Sequence, residues 1–492
     1  MVEKQIEEET EVVTSMILPI ADQSDIDRPI DLRRREKIKE MMLHAWKNYE
    51  KFAWGSNELR PISRRVHSGG VFGANKLGAT IVESLDTLYI MGLEDQYKRG
   101  RDWVNTHLSL DNINKTLPVN DLSSCFLGSM LTLYSFTGDV MYLKKAVHIA
   151  DKLLPAFETP TGIPQPKINV VTGTLHEGPF GNTYLSDFGA LYLEFYYLSD
   201  LTGNPIYRER VETIRDVLRK MDKPKGLYPV TFNPKTGKWG RILHSSMGKF
   251  GGRFFDYLIK AWMQSDYTDK ESSEMYKDAV NAIISNMLAF TPNGKSYISD
   301  WKFGNLTNQM EQFACFSGGL LVLGASQGLH VHSAKYAEVG ESIVELCRQS
   351  FKQSPTHLGP ELIGFTKESQ NNINLRQKLY YTLRPEVVES YLIFWRLTHQ
   401  QKYRDWGWEI VEALEKYCRT PNGYAGLQNV FNDKPEHDDV QRSIFLSQTL
   451  KYLYLLFSDD FVLAIGDWVF NSGGHPLPMK GGSDYYRAQV EV

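Results

Sequence analysis

The sequence has few cysteines and no long apolar run. Four cysteines among 492 residues are too few for a fold built on a disulfide framework, although they allow one or two bridges. No stretch of about 18 apolar residues occurs, so no membrane span is predicted. The longest apolar stretch near the start, residues 16–20, is too short for the core of a signal peptide. We therefore predict neither a secretory signal nor an anchor within this sequence.

An excess of positive charge is also lacking. Lys and Arg number 55 against 59 Asp and Glu, which gives a net charge of −4 and a pI near 6.3. Dedicated nucleic-acid binders usually carry a basic surplus, so no nucleic-acid partner is expected. Hydrophobic residues make up 42% and charged residues 23%, which is typical of a globular protein and argues against a disordered one.

The motifs of several large enzyme classes are missing. There is no G-x-x-x-x-G-K-[ST] phosphate loop, no G-x-G-x-x-G after a strand and no H-E-x-x-H. These absences argue against nucleotide hydrolases, dinucleotide-dependent enzymes and zinc proteases. The 12 histidines are scattered, and no Cys/His cluster has the spacing of a zinc site. What remains is chemistry based on carboxylates.

A repeated pattern of paired helices runs along the chain. An apolar segment is followed by a short turn, often with Gly or Asp, and then by an amphipathic segment. The first segment of a pair is apolar nearly all round, which predicts an inner helix, and the second carries Lys, Arg and Glu, which predicts a solvent-facing helix. The seven apolar segments are residues 81–91, 126–136, 188–201, 254–264, 316–324, 387–398 and 444–457.

Seven such hairpins predict an all-α fold, an α/α toroid with an inner and an outer ring of helices. The long links, such as residues 159–182 and 224–250, contain Pro, Gly and alternating residues. They suit short strands and loops that close one end of the barrel. We interpret residues 31–492 as a single domain of this kind and predict that residues 1–30 form a disordered or loosely held tail.

Two carboxylates stand at the start of the sixth inner helix. Pro385 favours the first turn of a helix, so Glu386 and Glu389 lie at i and i+3 on one face, next to Arg384. Such a pair would suit a general base or a cation site. Acidic residues also stabilise a helix N-terminus without any further role. The spacing alone favours neither interpretation.

With this motif the sequence resembles the class I α1,2-mannosidases of glycoside hydrolase family 47, and it looks most like their Golgi type. The similarity extends from about residue 37 to residue 479. The matching segments are residues 72–73, 84–92, 152–157, 383–386, 450–455, 470–471 and 475–476. The resemblance implies an (αα)7 barrel and an inverting exo-mannosidase that trims α1,2-linked mannose from high-mannose N-glycans, with Ca²⁺ bound at the barrel floor.

The resemblance also assigns roles to individual residues. It implies Asp121 as the catalytic acid, Glu386 as the base, Ser472 as the calcium ligand, and a disulfide between Cys315 and Cys347. An inverting site needs its two carboxyl groups roughly 6.5–9.5 Å apart, so that a water molecule fits between them. Substrate contacts are expected from Arg384, Glu389, Asp187, Glu311 and Gln448.

The implied location is the lumen of the Golgi or the endoplasmic reticulum. Asn114 and Asn305 each begin an Asn-x-Thr triplet and would accept N-glycans there. The disulfide implied by the resemblance suits the same compartment. The expected partner is a high-mannose N-glycan or a glycoprotein that carries one, and we expect a monomer.

The same alignment shows departures that fall on the active site. The family's acidic Glu is Asp121 here, and a displacement of about 1 Å can cost on the order of 100-fold in rate. A second family carboxylate, an Asp, is replaced by Gly252. Gln448 stands for a family Glu, and Gly473 stands for a carboxylate beside Ser472. Because the charge of the ligands tunes calcium affinity, these changes should weaken Ca²⁺ binding or abolish it.

Three hypotheses follow from this pattern. In the first, which the departures favour, the chain keeps the scaffold, binds high-mannose glycans and has impaired catalysis. In the second, it is an active inverting α1,2-mannosidase that uses Asp121 and Glu386. In the third, it is a structural or chaperone partner similar to the mannosidase-like lectins of protein degradation in the endoplasmic reticulum. A calcium requirement would separate the first two.

Overall fold

Seven inner helices form a closed ring in the computed structural model, which describes residues 29–329, 333–365, 378–481 and 483–487. Within these residues the inner helices are buried on nearly every side, as their apolar composition predicts. Each packs against the next, and the last packs through its first turn against the first. Their ranges are Ala79–Ile90, Gly128–Thr137, Tyr192–Thr202, Gly252–Gln264, Phe316–Ser326, Glu386–Thr398 and Leu450–Leu456.

The outer helices are amphipathic, and each packs its apolar side on the inner ring. Six of them follow their inner partners directly in the chain. The ranges of these six are Glu94–His107, Val140–Leu153, Pro205–Lys220, Lys270–Asn286, Ser333–Lys352 and Gln401–Ala413. The predicted (αα)7 barrel is therefore confirmed.

The seventh outer helix comes from the other end of the chain. Pro29–Ala53 packs on Leu450–Leu456 and so completes the last pair. Asp31 accepts a hydrogen bond from Arg404 at 2.9 Å, which fixes the start of this helix to the sixth outer helix. The sequence pattern gave the last apolar segment no amphipathic partner, because that partner lies about 400 residues earlier.

Turns of two inner–outer pairs use the same local chemistry. Gly138 and Gly203 end their inner helices with φ values of 70° and 68°, a conformation that glycine adopts without a Cβ clash. The next residues, Asp139 and Asn204, accept backbone N–H groups of the following helix at 3.0 and 3.2 Å. These N-caps make the reversal of direction sharp.

Short strands occupy the links between helices, as predicted for residues 159–182 and 224–250. They pair only in antiparallel sheets of two or three strands. The strands are Glu58–Arg60, Arg65–His67, Thr116–Pro118, Lys167–Asn169, Leu175–His176, Thr183–Tyr184, Thr231–Asn233, Lys238–Trp239, His244–Ser245, Leu288–Phe290, Ser296–Ile298, Trp301–Lys302, Asn305–Leu306, Gln309–Glu311, Leu362–Gly364, Arg419–Thr420, Gly423–Tyr424, Trp468–Phe470 and Pro476–Pro478.

Several short helical segments precede or connect the long helices. Those at the starts of inner helices position side chains at the barrel floor. The α-helical ones are Val119–Asp121 and Leu185–Gly189, the 3-10 ones are Leu154–Phe157, Pro179–Gly181, Pro224–Gly226 and Gln312–Cys315, and the π-helical turns are Leu122–Leu127, Leu414–Cys418 and Phe445–Thr449.

The last hairpin of the chain plugs the ring. Strands Trp468–Phe470 and Pro476–Pro478 pack between inner helices. His475 in this hairpin and Lys451 in the seventh inner helix both bind Oδ2 of Asp86, at 2.9 and 2.6 Å, and all three side chains are fully buried. Burial opposes ionisation of Asp86, but the interactions with Lys451 and His475 outweigh it and lower the pKa of Asp86. This buried cluster fixes the plug to the first inner helix.

Two predictions concern the chain ends and the membrane. The tail predicted for residues 1–30 falls mostly outside the described residues, which begin with Pro29 in the first helix, so its division from residues 31–492 stays a prediction. Among the helices that the structure describes, none is both long and apolar enough to cross a bilayer.

Candidate functional site

The predicted site residues meet where the inner helices begin. Asp121 immediately precedes the π-helical turn that leads into the second inner helix, and Gln448 lies within the π-helical turn that leads into the seventh. Gly252 and Glu386 are the first residues of two further inner helices. π-helical turns are rare and often occur at functional sites. We refer to this region as the barrel floor.

Three carboxyl groups on one side of the barrel floor bind protons more tightly than usual. Burial raises the pKa of Asp121 to about 6. Burial, and then the charge of Asp121, raises the pKa of Asp187 to about 7. Burial raises the pKa of Glu83 to about 8. A carboxyl group that keeps its proton near neutral pH is suited to act as an acid.

On another side of the barrel floor, Arg384 binds mainly to Glu361. Its guanidinium donates to Glu361 at 2.8 and 2.5 Å, and it lies 3.4 Å from Oε1 of Glu386. The other oxygen of Glu386 is buried without a hydrogen-bond partner among the described residues. Burial raises the pKa of Glu386 although the charges of Arg384 and Arg253 oppose the shift. One oxygen of Glu386 therefore remains available.

Arg253 neutralises Glu389, the second carboxylate at the start of the sixth inner helix. Its guanidinium donates to both oxygens of Glu389, at 3.0 and 2.9 Å, and to Asp256 at 3.3 Å. Asp256 also accepts from Lys260 at 2.7 Å. All four side chains are almost completely buried. The charges of Arg253 and Lys260 outweigh burial and lower the pKa of Glu389, so this carboxylate is ionised and paired.

The sequence analysis gave Arg253 no role. The signal that could have found it is its position, because a guanidinium in the first turn of a buried inner helix must meet a buried carboxylate. Its guanidinium also lies over the rings of Phe313 and Phe316, at 5.2 and 4.7 Å from their centroids. These contacts hold it against the wall of the barrel.

Gly252 leaves no room for a side chain. A Cβ at this position would overlap the backbone carbonyl oxygen of Met247 and would lie 2.7 and 2.8 Å from two ring carbons of Phe316. Contacts below about 3 Å are essentially never seen for a Cβ, so the backbone would have to move. Any side chain at this position would therefore require a shift of the surrounding backbone and of Phe316.

Ser472 lies at the tip of the plug hairpin and contacts the phenol of Tyr257. Its Oγ is 3.3 Å and its backbone N is 3.1 Å from that hydroxyl. The Tyr257 hydroxyl in turn donates to Oε1 of Glu194 at 2.8 Å, and Asn471 donates to the same oxygen at 2.7 Å. Burial raises the pKa of Glu194 to about 7. The expected calcium ligand thus belongs to a buried hydrogen-bond network, in which the other oxygen of Glu194 has no partner among the described residues.

The donors near Ser472 do not fit a divalent cation as they stand. Both oxygens of Glu389 bind a guanidinium, and one oxygen of Glu194 accepts two hydrogen bonds. No group of three or more His, Cys, Asp and Glu side chains among the described residues is placed to hold a metal ion. Ca²⁺ takes six to eight oxygen ligands and depends on their negative charge. The cations that face Glu389 are Arg253 and Lys260.

The remaining predicted residues divide between the floor and the surface. Gln448 is buried on the floor. Glu311 ends a strand and accepts from the backbone N of Lys249 at 3.1 Å, so its side chain supports a loop. Asn114 and Asn305 are exposed, as glycosylation would require. The predicted disulfide is confirmed: Cys315 and Cys347 are bonded and join the start of an inner helix to an outer helix.

One nucleophile pattern in the chain lacks the matching structure. Residues 324–328 read Gly-Ala-Ser-Gln-Gly, which fits G-x-S-x-G. Ser326 ends an inner helix, and its hydroxyl donates to the carbonyl oxygen of Leu323 at 2.8 Å. A catalytic serine of that motif would stand on a sharp turn between a strand and a helix.

Comparison with known proteins agrees with this architecture. An alpha-1,2-mannosidase from Trichoderma reesei has the same fold, with a TM-score of 0.83 at 23% identity over 91% of this chain and 99% of that chain. The protein therefore has the α/α-barrel fold. Residues 41–479 match the profile of glycosyl hydrolase family 47.

Two curated relatives are close in sequence. Mannosyl-oligosaccharide alpha-1,2-mannosidase IA of Drosophila melanogaster is 56% identical over 92% of this chain and 68% of its own length. Mannosyl-oligosaccharide 1,2-alpha-mannosidase IB of Homo sapiens is 46% identical over 91% of this chain and 70% of its own length. The chain belongs to glycosyl hydrolase family 47.

Proposed function

We propose that this protein acts in N-glycan processing by binding high-mannose N-glycans and that its hydrolytic turnover is impaired. Supporting the first part is its membership of a family whose curated relatives are named as mannosyl-oligosaccharide mannosidases. Supporting the second part is the composition of the barrel floor. The scaffold of the floor is kept, but one of its catalytic carboxylates is gone.

The observation that carries the impairment is the pairing of Arg253 with Glu389 beside Gly252. An inverting glycosidase needs a water molecule held by a free carboxylate opposite the acid. Glu389 is ionised, but both of its oxygens bind Arg253, so it cannot take the place of a carboxylate at position 252. Gly252 cannot carry the missing carboxylate without displacing the carbonyl of Met247. A restored Gly252→Asp variant is therefore not expected to recover turnover, even together with Asp121→Glu.

The test is incubation of a purified high-mannose N-glycan with the protein, with Ca²⁺ and then with a chelator, followed by mass spectrometry for loss of hexose. Binding of the same glycan is measured in parallel by calorimetry. The matched control is Glu386→Gln, which keeps the shape of the side chain and removes its charge. Binding without hexose loss supports the proposal. Hexose loss that disappears in the Glu386→Gln variant would show genuine turnover and overturn it.

A specific observation favours the active alternative. Asp121 is protonated up to about pH 6, and Glu386 keeps one buried oxygen without a partner among the described residues. A carboxyl group that keeps its proton and a second carboxyl group with an available oxygen are therefore both present. If this pair is sufficient, turnover should fall as the pH rises above about 6, because Asp121 then loses the proton it must donate.

We also propose that the protein resides in the Golgi or the endoplasmic reticulum. The disulfide between Cys315 and Cys347 suits an oxidising compartment. Asn114 and Asn305 are exposed and stand in acceptor triplets. Expression in a secretory system should therefore add glycans at both positions, and enzymatic removal of these glycans should lower the apparent mass in two steps. A single species without glycan would contradict this location.

A further inference from the structure

A large cavity adjoins the barrel floor, and its lining residues have no role in the site described above. It has a volume of about 1060 Å³, which is at the upper end of the range for small-molecule sites. Tyr184 and Phe250 line it, and they precede the floor residues Asp187 and Gly252 by three and two positions. We call this space, lined mainly by residues 179–184, 230–250 and Lys302, the mouth cavity.

The charge of the mouth cavity is positive. Its lining includes Lys238, Arg241 and Lys302 but no Asp or Glu. Among the residues that the structure describes, none of these three cations takes part in an ion pair. The nearby Lys235 differs, because it is paired with Glu177. Three clustered cations without counter-charges create a positive potential that attracts an anion.

The walls of the mouth cavity are aromatic and partly exposed. The rings of Tyr184 and Phe250 stack with centroids 4.2 Å apart and planes 24° apart. Trp239 lies in the same lining. Phe180 and Ile242 are 95% and 56% exposed. Exposed apolar side chains grouped around a cavity mark a binding surface, and flat aromatic faces suit the apolar face of a sugar ring.

We propose that the mouth cavity binds an arm of an oligosaccharide that carries an anionic ester, a phosphate or sulfate monoester on a hexose. The aromatic walls take the sugar ring, and Lys238, Arg241 and Lys302 take the ester. Arginine and lysine bind the oxygens of such esters through charge-assisted hydrogen bonds. This inference deepens the proposed function, because it assigns a ligand class to the mouth of a glycan-binding barrel.

The experiment measures binding of four small probes to the whole protein by calorimetry: mannose, mannose 6-phosphate, mannose 6-sulfate and inorganic phosphate. We expect at least one ester to bind ten times more tightly than mannose. Binding of that ester should weaken when the NaCl concentration is raised, and binding of mannose should not. The ester that binds more tightly identifies the anionic group. Equal affinity for mannose and both esters would overturn the proposal, and so would inorganic phosphate binding as tightly as the esters.

Two variants locate the effect. In Lys238→Ala/Arg241→Ala/Lys302→Ala, the preference for the ester over mannose should fall to within twofold. Lys235→Ala is the matched control, because this lysine lies in the same loop but is paired with Glu177. Its ester preference should be unchanged, and an equal loss in both variants would refute the assignment. The salt dependence of the unmodified protein tests the proposal independently of variant folding.

Failure of the proposed function gives a different signal. Hexose loss from neutral high-mannose glycans would overturn impaired turnover and leave the ester preference untouched. Loss of the ester preference, with neutral glycan still bound, would overturn only the role of the mouth cavity.

Discussion

Replacing Arg253 with serine should make the stability of this protein depend on calcium. The change removes the guanidinium that binds Glu389 twice and Asp256 once. Breaking a buried ion pair from one side typically costs about 3–5 kcal/mol, because the remaining carboxylate is left buried without compensation. The variant therefore leaves Glu389 with Lys260, 3.8 Å away, as its remaining ion-pair partner among the described residues, in the region where the resemblance places the calcium site.

Calcium should return part of the lost stability to the variant. A ligand that binds only the folded state at 100 times its Kd adds about 2.7 kcal/mol. Denaturant unfolding with millimolar CaCl₂ and with chelator measures this difference. We expect the unmodified protein to unfold at the same denaturant concentration in both conditions, and Arg253→Ser to unfold later when calcium is present.

The matched control is Arg215→Ser. Arg215 is also buried and paired, with Asp269, but that pair joins two outer helices. This variant should lose stability without any response to calcium. The reasoning is refuted if calcium stabilises the unmodified protein by more than about 1 kcal/mol, or if Arg253→Ser responds no more than Arg215→Ser.

Three further predictions concern packing, protonation and cross-linking. Gly252→Ala should lower the free energy of unfolding by at least about 2 kcal/mol, because the added Cβ overlaps the backbone. Gly466→Ala should change it little, because a Cβ there meets nothing within 4 Å. Equal effects of the two changes in denaturant titrations would contradict the steric argument. Burial raises the pKa of Glu83 from 4.5 to about 8, so the folded state keeps a proton that the unfolded state releases, and the contribution of this group is lost as the pH rises through 8. Stability measured from pH 5 to 8 should therefore fall less steeply in Glu83→Gln, and parallel curves would exclude this group as a source of the slope. Replacing Cys315 and Cys347 by serine opens a loop closed across 32 residues and should lower the free energy of unfolding by about 3–4 kcal/mol. Thermal unfolding with and without reductant measures this loss. If the transition of the variant still responds to reductant, the response does not come from this disulfide.

The ring of inner helices could be predicted from the sequence because the inner helices are mainly apolar. Phe316–Ser326 has no charged residue, and such a helix is stable only when every face is covered. The amphipathic partner that follows each one carries the matching stripe. Local patterns of this kind decide both the class of fold and the number of pairs.

The pairing at the barrel floor could not be predicted in the same way. Arg253 and Glu389 are 136 residues apart, and no local pattern encodes which two buried charges meet. The resemblance assigned Glu389 to the substrate. Only the folded ring shows that the guanidinium of Arg253, two inner helices away, binds it. Likewise, the closed space at Gly252 depends on Phe316 and on the carbonyl of Met247.

The closure of the ring by its first helix has a consequence for biosynthesis. Pro29–Ala53 is synthesised about 400 residues before its inner partner Leu450–Leu456. At roughly 5–20 residues per second, synthesis leaves about 20–80 s between the two. During that interval Met41, Met42 and Trp46, which are fully buried in the finished ring, have no surface to cover them. The ring can therefore close only after Leu450–Leu456 has been synthesised, and until then the Pro29–Ala53 helix lacks the inner helix that covers its apolar side.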